Sequence, residues 1–378
     1  MRGFFYFPIN TDLYPDTSIV KKNEQMLSAW RRMGVDTDVV RFTSRGITFN
    51  DRLIQPIKDL KLIRGVYNNL LAFRAITNHC DLAGYDFFWI RGGLTLPPHL
   101  KFLRIIKRRS PNAKILIEYG SYPFEREFFG YQKLLLPIHR RLIQQLKQYA
   151  SYVVTYTGQD EILGIPCIKL DNGVDIETVP YRERKADVGA ETIRLISVSS
   201  VIYWHAIDRV ISGMKNYYES RQPSSPDVVL DVVGEGPEID NLRELAVSSG
   251  LDDRVIFHGL KTGPELDHVF EHADLAIGTL GMHRKGLTVD TSLKNREYFA
   301  RGLPFILATY DADFPTDLPF VKYISGDDSA IDIGSLVEYY LGLRRDRPHY
   351  GHEIRDYAVK NLTWEAKLDK ARKTIVGT

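Results

Sequence analysis

Two loops in the C-terminal half of the chain carry residue types suited to binding a diphosphate. Residues 234–237 have the sequence Gly-Glu-Gly-Pro and follow an apolar run, and residues 281–286 have the sequence Gly-Met-His-Arg-Lys-Gly and follow another. Glycine turns after strands expose backbone N–H groups to phosphate, Arg284 offers paired donors, and Lys285 offers a point charge. Together the loops predict an anion site, although each loop alone also fits an ordinary strand-to-helix turn.

A third segment, residues 292–304, predicts a short helix with charged residues in its first turns. Ser292 is a helix-capping residue type, and Gly302 is typical of a helix end. Lys294 and Glu297 are three residues apart, so they lie on one face of this helix. Two interpretations stay open. They form an exposed ion pair worth a few tenths of a kcal/mol, or Lys294 binds phosphate while Glu297 accepts hydrogen bonds from a ribose.

The elements that must position these loops follow from an alternation of apolar runs and helical patterns. Predicted strands include residues 3–8, 86–91, 193–198 and 227–233, and helices such as 97–109 separate them. Strand, crossover helix and strand is typical of a parallel sheet with covered faces. We therefore predict the α/β class, with two doubly wound, Rossmann-like domains facing a central cleft.

The domain boundary is expected in a polar stretch that has many charges and few aliphatic residues. We predict an N-terminal domain over residues 1–177, a linker over 178–192 and a C-terminal domain over 193–362. A helix over about 363–378 is expected to join the N-terminal domain. The length of 378 residues suits two domains of ordinary size.

Composition excludes several classes of protein. With 44% hydrophobic and 26% charged residues, the chain is neither collagen-like nor disordered nor a coiled coil. The start of the chain predicts a strand and not a signal peptide, and no apolar run is long enough for a membrane span. Its two cysteines, Cys80 and Cys167, form no CxxC pair, which argues against a disulfide framework or a zinc site. We expect a cytoplasmic protein.

Charge is divided unequally between the two halves. Residues 1–180 hold 25 Lys and Arg against 17 Asp and Glu, whereas the rest of the chain is acidic. Basic residues cluster among apolar ones at helical spacing: Lys101, Arg104, Lys107, Arg108, Arg109, Arg140, Arg141 and Lys147. This pattern fits either a helix at an anionic membrane surface or a solvated face of a globular domain. Nucleic acid is not expected as a partner, because no recognition motif accompanies the charge.

The order of these motifs resembles the family-4 retaining glycosyltransferases, which have the GT-B fold, and in particular those of the bacterial polysaccharide type. The segments that carry the resemblance are 233–238 (VGEGPE), 297–304 (EYFARGLP), 171–175 (DNGVD) and 18–35, which looks like the family's first helix. The resemblance is strong over about 170–310 and looser over 1–160.

The resemblance implies an enzyme that moves a hexose-type sugar from a nucleotide-sugar, with UDP as the expected nucleotide, to a glycan or lipid-linked saccharide. The donor is expected on the C-terminal domain and the acceptor on the N-terminal one. No metal and no cofactor are expected, because helix ends and cations would stabilise the leaving diphosphate. The expected donor-binding residues are Ser200, His205, Gly234, Glu235, Arg284, Lys285, Gly286, Leu287, Lys294 and Glu297.

Within that set, Glu297 matches the second glutamate of the family's E-x7-E motif and is expected to bind the ribose. Gly286 and Leu287 are expected to offer backbone N–H groups to the sugar. Ser200 and His205 stand where the family has Arg and Lys, and the basic residues 284 and 285 with Lys294 are expected to replace those cations.

Three residues are catalytic candidates. The first glutamate of the E-x7-E motif falls on Val289, and Asp290 is the candidate to replace it. Glu118 and Tyr119, at the end of a predicted strand, are candidates to position sugar or acceptor hydroxyls. A buried tyrosine and a structural carboxylate are the equally open alternative for these two.

The expected reaction retains anomeric configuration by internal return, in which the leaving phosphate takes the acceptor proton on the same face. The basic half suggests a lipid-linked acceptor and peripheral contact with an anionic membrane, at the inner face of the cell membrane. Two alternatives stay open: a nucleotide-sugar epimerase or phosphorylase, and a non-catalytic GT-B protein that binds a sugar nucleotide or a partner.

Overall fold

The structure is a computed structural model that describes residues 1–13, 18–57, 64–120, 122–123, 130–181, 183 and 192–377. The chain forms two compact units. The N-terminal unit contains residues 1–173 and 364–378, and the C-terminal unit contains residues 174–363. The sequence-based division placed the first boundary after residue 177. Most of the predicted linker, namely 182 and 184–191, lies outside the described residues.

The N-terminal unit is a nine-stranded sheet with flanking helices. Its strands are β1 (Arg2–Asn10), β2 (Asp36–Phe42), β3 (Gly46–Phe49), β4 (Arg52–Pro56), β5 (Phe87–Arg91), β6 (Lys114–Tyr119), β7 (Tyr152–Thr155), β8 (Glu161–Ile162) and β9 (Ile165–Lys169). Its helices are α1 (Ser18–Arg32), α2 (Arg64–His79), α3 (Pro97–Arg109), α4 (Leu136–Ile143) and, after the second unit, α11 (Trp364–Val376).

Strand order in this sheet is β4-β3-β2-β1-β5-β6-β7-β9-β8, with β1 parallel to both β2 and β5. The order reverses between β1 and β5, and ligands of doubly wound sheets bind beyond the carboxyl ends of the strands at such a point. Phe4, Phe5 and Tyr6 of β1 are all buried, as expected for a central strand covered on both faces.

The C-terminal unit is a six-stranded parallel sheet with the order β12-β11-β10-β13-β14-β15. Its strands are β10 (Thr192–Val198), β11 (Asp227–Val233), β12 (Val255–Gly259), β13 (Leu275–Ile277), β14 (Phe305–Leu307) and β15 (Val321–Tyr323). Its helices are α5 (Ile207–Ser220), α6 (Ile239–Ser248), α7 (Gly263–Glu271), α8 (Leu293–Ala300), α9 (Ile333–Asp346) and α10 (Tyr350–Asn361). Here the strand order reverses between β10 and β13.

Some predicted elements differ from the structure. The helical stretch expected over 54–80 begins with β4, which pairs with β3 in an antiparallel hairpin, and α2 starts only at Arg64. The single helix expected over 131–149 is instead α4 flanked by 3-10 turns. Within the described residues no helix is long and apolar enough to cross a membrane.

The apolar side of the basic helix α3 packs against the core of the N-terminal unit. Leu100, Phe102, Leu103 and Ile106 are buried in the core, and the basic residues occupy the remaining side. The solvated-face interpretation of this helix therefore agrees with the structure, and these apolar residues are not available for insertion into a membrane.

Candidate functional site

The candidate donor site lies at the carboxyl edge of the C-terminal sheet, where the strand order reverses. Tyr298 of α8 holds this edge together: its hydroxyl accepts a hydrogen bond from the Val198 N–H (3.1 Å) and donates one to the Ile277 carbonyl (3.2 Å). These two residues end β10 and β13. The clamp places the first turn of α8 over the point at which ligands of doubly wound sheets bind.

The Gly-Glu-Gly-Pro turn packs against the loop that follows β10. A Cβ at Gly234 would lie 1.9 Å from the Ser199 carbonyl oxygen, and one at Gly236 would lie 2.1 Å from that of Val201. Gly234 also has a φ of +128°, which L side chains rarely adopt. The turn therefore requires glycine at both positions. Glu235 is exposed beside it, and its carbonyl accepts from the Val201 N–H (2.9 Å).

Lys294 places an unpaired cation at this edge. Its Nζ is buried and has no hydrogen-bond partner among the described residues. Burial lowers the pKa of Lys294 from 10.5 to about 8, and the nearby Asp290 carboxylate only partly offsets that effect. A buried ammonium without an acceptor is costly, and such a group is typical of a site that an anion completes.

His205 lies near Lys294 and is also incompletely bonded. Its Nδ1 is buried without a hydrogen-bond partner. Burial, the Lys294 charge and, to a smaller extent, Lys285 lower the pKa of His205 to about 3, so the imidazole is neutral at physiological pH. A neutral imidazole has one N–H, and the ring also makes a hydrogen bond with the Ser200 backbone that partly opposes the lowering of its pKa. Ser200 is exposed in the same loop.

The expectation that Arg284 binds the diphosphate does not agree with its contacts. Its guanidinium donates to Asp208 (2.7 and 3.0 Å), to Asp328 (2.7 Å) and to the Tyr203 carbonyl (2.8 Å). Only 6% of the side chain is exposed. The hydrogen bonds that Arg284 donates to Asp208 raise the pKa of Arg284 above its ordinary value. The residue fixes its loop and has little donor capacity left.

The other candidates in this loop differ in whether they are available to a ligand. Lys285 is exposed, with Nζ 4.5 Å from the centre of the Trp204 ring, and stays a candidate for phosphate contact. The N–H groups of Gly286 and Leu287 were expected to face the sugar, but they donate to the carbonyls of His283 (2.8 Å) and Met282 (3.1 Å). That expectation is wrong for these two backbone donors.

Asp290 acts at the start of α8. Its carboxylate accepts from the Ser292 N–H (3.0 Å), from the Ser292 hydroxyl (3.2 Å) and from the Asn295 amide (3.3 Å), and the residue is 5% exposed. These contacts fix the turn that leads into α8, and they give Asp290 a structural role in place of the predicted catalytic one. Val289, at the position of the family's first glutamate, is 53% exposed.

Glu297 does not pair with Lys294. Its Oε1 instead accepts from Arg301 Nε (3.1 Å) and Nη2 (2.9 Å), one helical turn further on. The exposed ion pair between residues 294 and 297 is therefore absent, which removes the structural alternative for Lys294. The side chain of Glu297 stays 33% exposed, so one of its oxygens is available to a ligand.

Glu118 and Tyr119 lie in the interior of the N-terminal unit. Glu118 is fully buried and accepts from Trp89 Nε1 (2.7 Å) and Arg91 Nη1 (3.0 Å), with Lys22 Nζ at 3.7 Å. Burial by itself raises the pKa of Glu118, but the charges of Arg91 and Lys22 outweigh it and hold that pKa below its ordinary value. Tyr119 is 3% exposed, and burial raises its pKa. Both fit the structural alternative and not the catalytic one.

The N-terminal unit has its own cavity at its strand-order reversal, with a volume of about 130 Å³. Tyr6, Phe73, Arg91 and His99 are among the residues that line it. His99 stacks on Phe73 with ring centres 5.1 Å apart, and its Nε2 is buried without a partner. Burial, with a smaller contribution from His139, lowers the pKa of His99 to about 4. The cavity therefore offers aromatic faces and a neutral imidazole.

Sequence reasoning missed several incompletely bonded groups at these edges. Ser197, Ser199 and Asn295 each have a buried side-chain oxygen without a partner. Ser197 lies near the end of β10, Ser199 lies in the loop that follows it, and Asn295 lies on α8 beside Lys294. A serine pair directly after a predicted strand was the available signal for Ser199. For His99, the signal was a histidine within the apolar positions of a predicted helix.

Comparison with known proteins gives a family match for part of the chain and several solved structures of similar fold. Residues 182–310 match the sequence profile of the family described as Glycosyl transferases group 1. No curated protein matches the sequence.

Among solved structures, a glycosyltransferase from Rickettsia africae ESF-5 has a TM-score of 0.63 at 12% identity, covering 99% of this chain and 98% of its own. The trehalose-6-phosphate protein of E. coli bound with UDP-2-fluoro glucose has a TM-score of 0.61 at 11% identity, with 99% of each chain covered. The lipopolysaccharide outer core galactosyltransferase WaaB has a TM-score of 0.55 at 13% identity, covering 100% of this chain and 99% of its own. These likenesses identify the fold as GT-B.

Proposed function

We propose that this chain, a glycosyltransferase with a group 1 domain on a GT-B fold, transfers a hexose-type sugar from a UDP-sugar to a glycan or lipid-linked saccharide. The proposed reaction retains anomeric configuration and needs no metal ion. The observation that carries the donor assignment is the buried, unpartnered ammonium of Lys294 beside the unpartnered His205 Nδ1. A diphosphate supplies the acceptor that the Lys294 ammonium lacks.

In the proposed complex, Lys294 and His205 bind the diphosphate at the first turn of α8. Helix N-termini favour anions, so the helix adds to the attraction. The glycine turn at 234–237 borders the nucleoside, where a side chain would clash with the neighbouring loop. Glu297 binds the ribose hydroxyls through the oxygen that Arg301 does not use. Lys285, on the exposed side, adds long-range attraction.

The chemical step proposed for this site is departure of the nucleoside diphosphate followed by attack from the same face. The bond from the anomeric carbon to the diphosphate oxygen breaks, the acceptor oxygen bonds to that carbon, and the acceptor proton passes to the leaving phosphate. Lys294, protonated at neutral pH, stabilises the negative charge that grows on the leaving group. Orientation and charge stabilisation are the protein's contribution.

For the acceptor, we propose the cavity of the N-terminal unit. The neutral His99 imidazole, whose Nε2 is buried without a partner, exchanges a hydrogen bond with a sugar hydroxyl there. A lipopolysaccharide galactosyltransferase shares the fold, which favours a lipid-linked saccharide as acceptor. The basic side of α3 and the exposed Leu134 (79%) would then face an anionic membrane at its cytoplasmic surface.

The test is a thermal-shift panel of UDP-, GDP- and ADP-sugars in EDTA, with wild-type protein and Glu297→Ala. A ligand at 100 times its dissociation constant stabilises the native state by about 2.7 kcal/mol. We expect a shift with the UDP-sugars that is strongly reduced in Glu297→Ala, each protein being compared with its own ligand-free melting temperature. A shift with GDP- or ADP-sugars alone would replace the proposed base, and a shift that requires added metal would contradict metal independence.

A further inference from the structure

A cluster of metal-binding side chains lies on α7, outside the residues assigned to sugar transfer. His268, Glu271 and His272 each offer one ligand atom, and these atoms lie within 4.8 Å of one another. Among the described residues this is the one group of three or more His, Cys, Asp or Glu side chains with such spacing. Two imidazoles and a carboxylate are a typical zinc ligand set.

The local structure holds the three side chains on one side of the helix end. Val269 and Phe270 are buried in the core of the C-terminal unit and anchor the last turn of α7. His272 continues the right-handed helical conformation (φ −97°, ψ −8°), so His268 and His272 keep the spacing of adjacent turns. The carboxyl end of a helix carries partial negative charge, which favours a bound cation.

One pair of ligand atoms already has nearly the spacing that zinc requires. Zn–N and Zn–O bonds of about 2 Å at tetrahedral angles set the donors about 3.3 Å apart. The Nδ1 of His268 already lies 3.5 Å from an Oε atom of Glu271. The side chain of His268 is 73% exposed, so rotation of its ring meets little packing resistance.

An open cavity of about 550 Å³ adjoins the cluster, and His268 and His272 line it together with His258 and Arg194. His258 and Arg194 are held by the buried Asp231, at 2.7 Å from His258 Nε2 and 2.8 Å from Arg194 Nη2. The cavity leaves room for water, or for a small anion, in a fourth coordination position.

We propose that His268, Glu271 and His272 form a binding site for one divalent transition-metal ion, with Zn²⁺ as the expected ion. Imidazole ligands select zinc over magnesium and calcium, which prefer oxygen donors. The site is separate from the donor site described above. Metal binding here is independent of sugar transfer.

The test is calorimetric titration of Zn²⁺ into chelator-treated full-length protein. We expect one ion per chain and no competition from excess Mg²⁺ in the wild type. His272→Ala should weaken binding at least tenfold, and the double variant His268→Ala/His272→Ala should remove the saturable phase. A matched control is His349→Ala/His352→Ala, which removes two exposed histidines that lie near Glu183 and should leave the titration unchanged.

Circular dichroism and the melting temperature of each variant establish that the fold is intact. A wild-type protein without saturable Zn²⁺ binding would overturn the proposal, as would a titration that the 268/272 double variant leaves unchanged. UDP-dependent stabilisation measured in EDTA should be the same in wild type and double variant. A failed zinc site is therefore distinguishable from a failed donor site.

Discussion

Both units place polar or charged side chains near the carboxyl edges of their sheets. The two sets differ in whether those side chains have hydrogen-bond partners. In the N-terminal unit, Glu118 is bonded to Trp89 and Arg91 and neutralised by Lys22, all at the carboxyl ends of strands or beside them. In the C-terminal unit, Lys294 Nζ and His205 Nδ1 have no hydrogen-bond partner.

The difference separates charge that stabilises the fold from charge that serves a ligand. A buried ion cluster whose members satisfy one another needs nothing from outside. A buried ammonium without an acceptor is destabilising, and such a group persists where binding requires it. The contrast supports the proposal of an anionic donor on the C-terminal unit and a neutral saccharide on the N-terminal unit.

The largest expected effect is on stability, from Glu118→Gln. The substitution leaves the buried Lys22 and the partly buried Arg91 without their counter-charge, and removing one partner of a buried pair costs about 3–5 kcal/mol. Chemical denaturation followed by circular dichroism should show this loss. UDP binding by the folded fraction should be unchanged, because the cluster belongs to the N-terminal unit.

Glu24→Gln is the matched control, since Glu24 pairs with Arg41 and has a side chain that is 45% exposed. Its loss should cost about 1 kcal/mol or less. If Glu118→Gln kept wild-type stability but abolished sugar transfer, Glu118 would be a catalytic residue, as predicted from the sequence. The charge cluster of the N-terminal unit would then not be purely structural.

The next largest effect is an increase in stability, expected from Lys294→Met. Burial lowers the pKa of Lys294 from its ordinary value of 10.5 to about 8 in the native state. This shift corresponds to a cost of about 3 kcal/mol for burying the protonated side chain. Below pH 8 the native state bears this cost in full, and it disappears as pH rises toward 10.5, where the unfolded lysine also loses its proton. Ligand-free Lys294→Met should therefore be more stable than wild type at pH 7, with a smaller gain at higher pH. Equal or lower stability at pH 7 would contradict the assignment of Lys294 as a strained cation.

A third effect is the pH dependence of UDP affinity. Only protonated Lys294 attracts the diphosphate, so affinity should fall by up to about tenfold per pH unit above pH 8. His205 is neutral throughout this range, because its pKa is about 3, and does not contribute. Titrations at a series of pH values should show the decline in wild type and a flat profile in Lys294→Met. The same decline of UDP affinity with pH in both proteins would show that a group other than Lys294 loses the proton that matters for binding.

The smallest effect is expected from Lys285→Met. This lysine is exposed over Trp204, and an exposed charge contributes about 1 kcal/mol or less. UDP affinity should fall only a few-fold, and the loss should diminish with added salt because screening already weakens the interaction. A loss as large as that of Lys294→Met would show that exposed and buried cations act alike.

Local patterns predicted much of this architecture. Helix α3 begins at Pro97 and ends at Arg109, as expected, and β11 spans residues 227–233, as expected. Both have one unbroken apolar pattern and clear ends. The β3–β4 hairpin was missed because its strands are short and the apolar residues after them also fit a helix. The expected helix over 131–149 is interrupted although its apolar spacing is helical.

The site was predicted less completely, because a side chain's role depends on partners far away in sequence. Arg284 is bonded to Asp208 and Asp328, which are 76 and 44 residues away. No local pattern separates such an arginine from a ligand-binding one. Lys294 was identified correctly as a cation at a helix start, but only the structure distinguishes an unpaired buried ammonium from half of an ion pair.

The most direct test of the account is calorimetric titration of UDP in EDTA at pH 7 into wild type, Lys294→Met and Lys285→Met. The proposed donor site keeps the buried ammonium of Lys294 without a hydrogen-bond partner so that it can bind a nucleoside diphosphate. Loss of a hydrogen bond to a charged group predicts about a tenfold to hundredfold weaker affinity for Lys294→Met, with Lys285→Met close to wild type. Equal UDP affinity in wild type and Lys294→Met would contradict the claim.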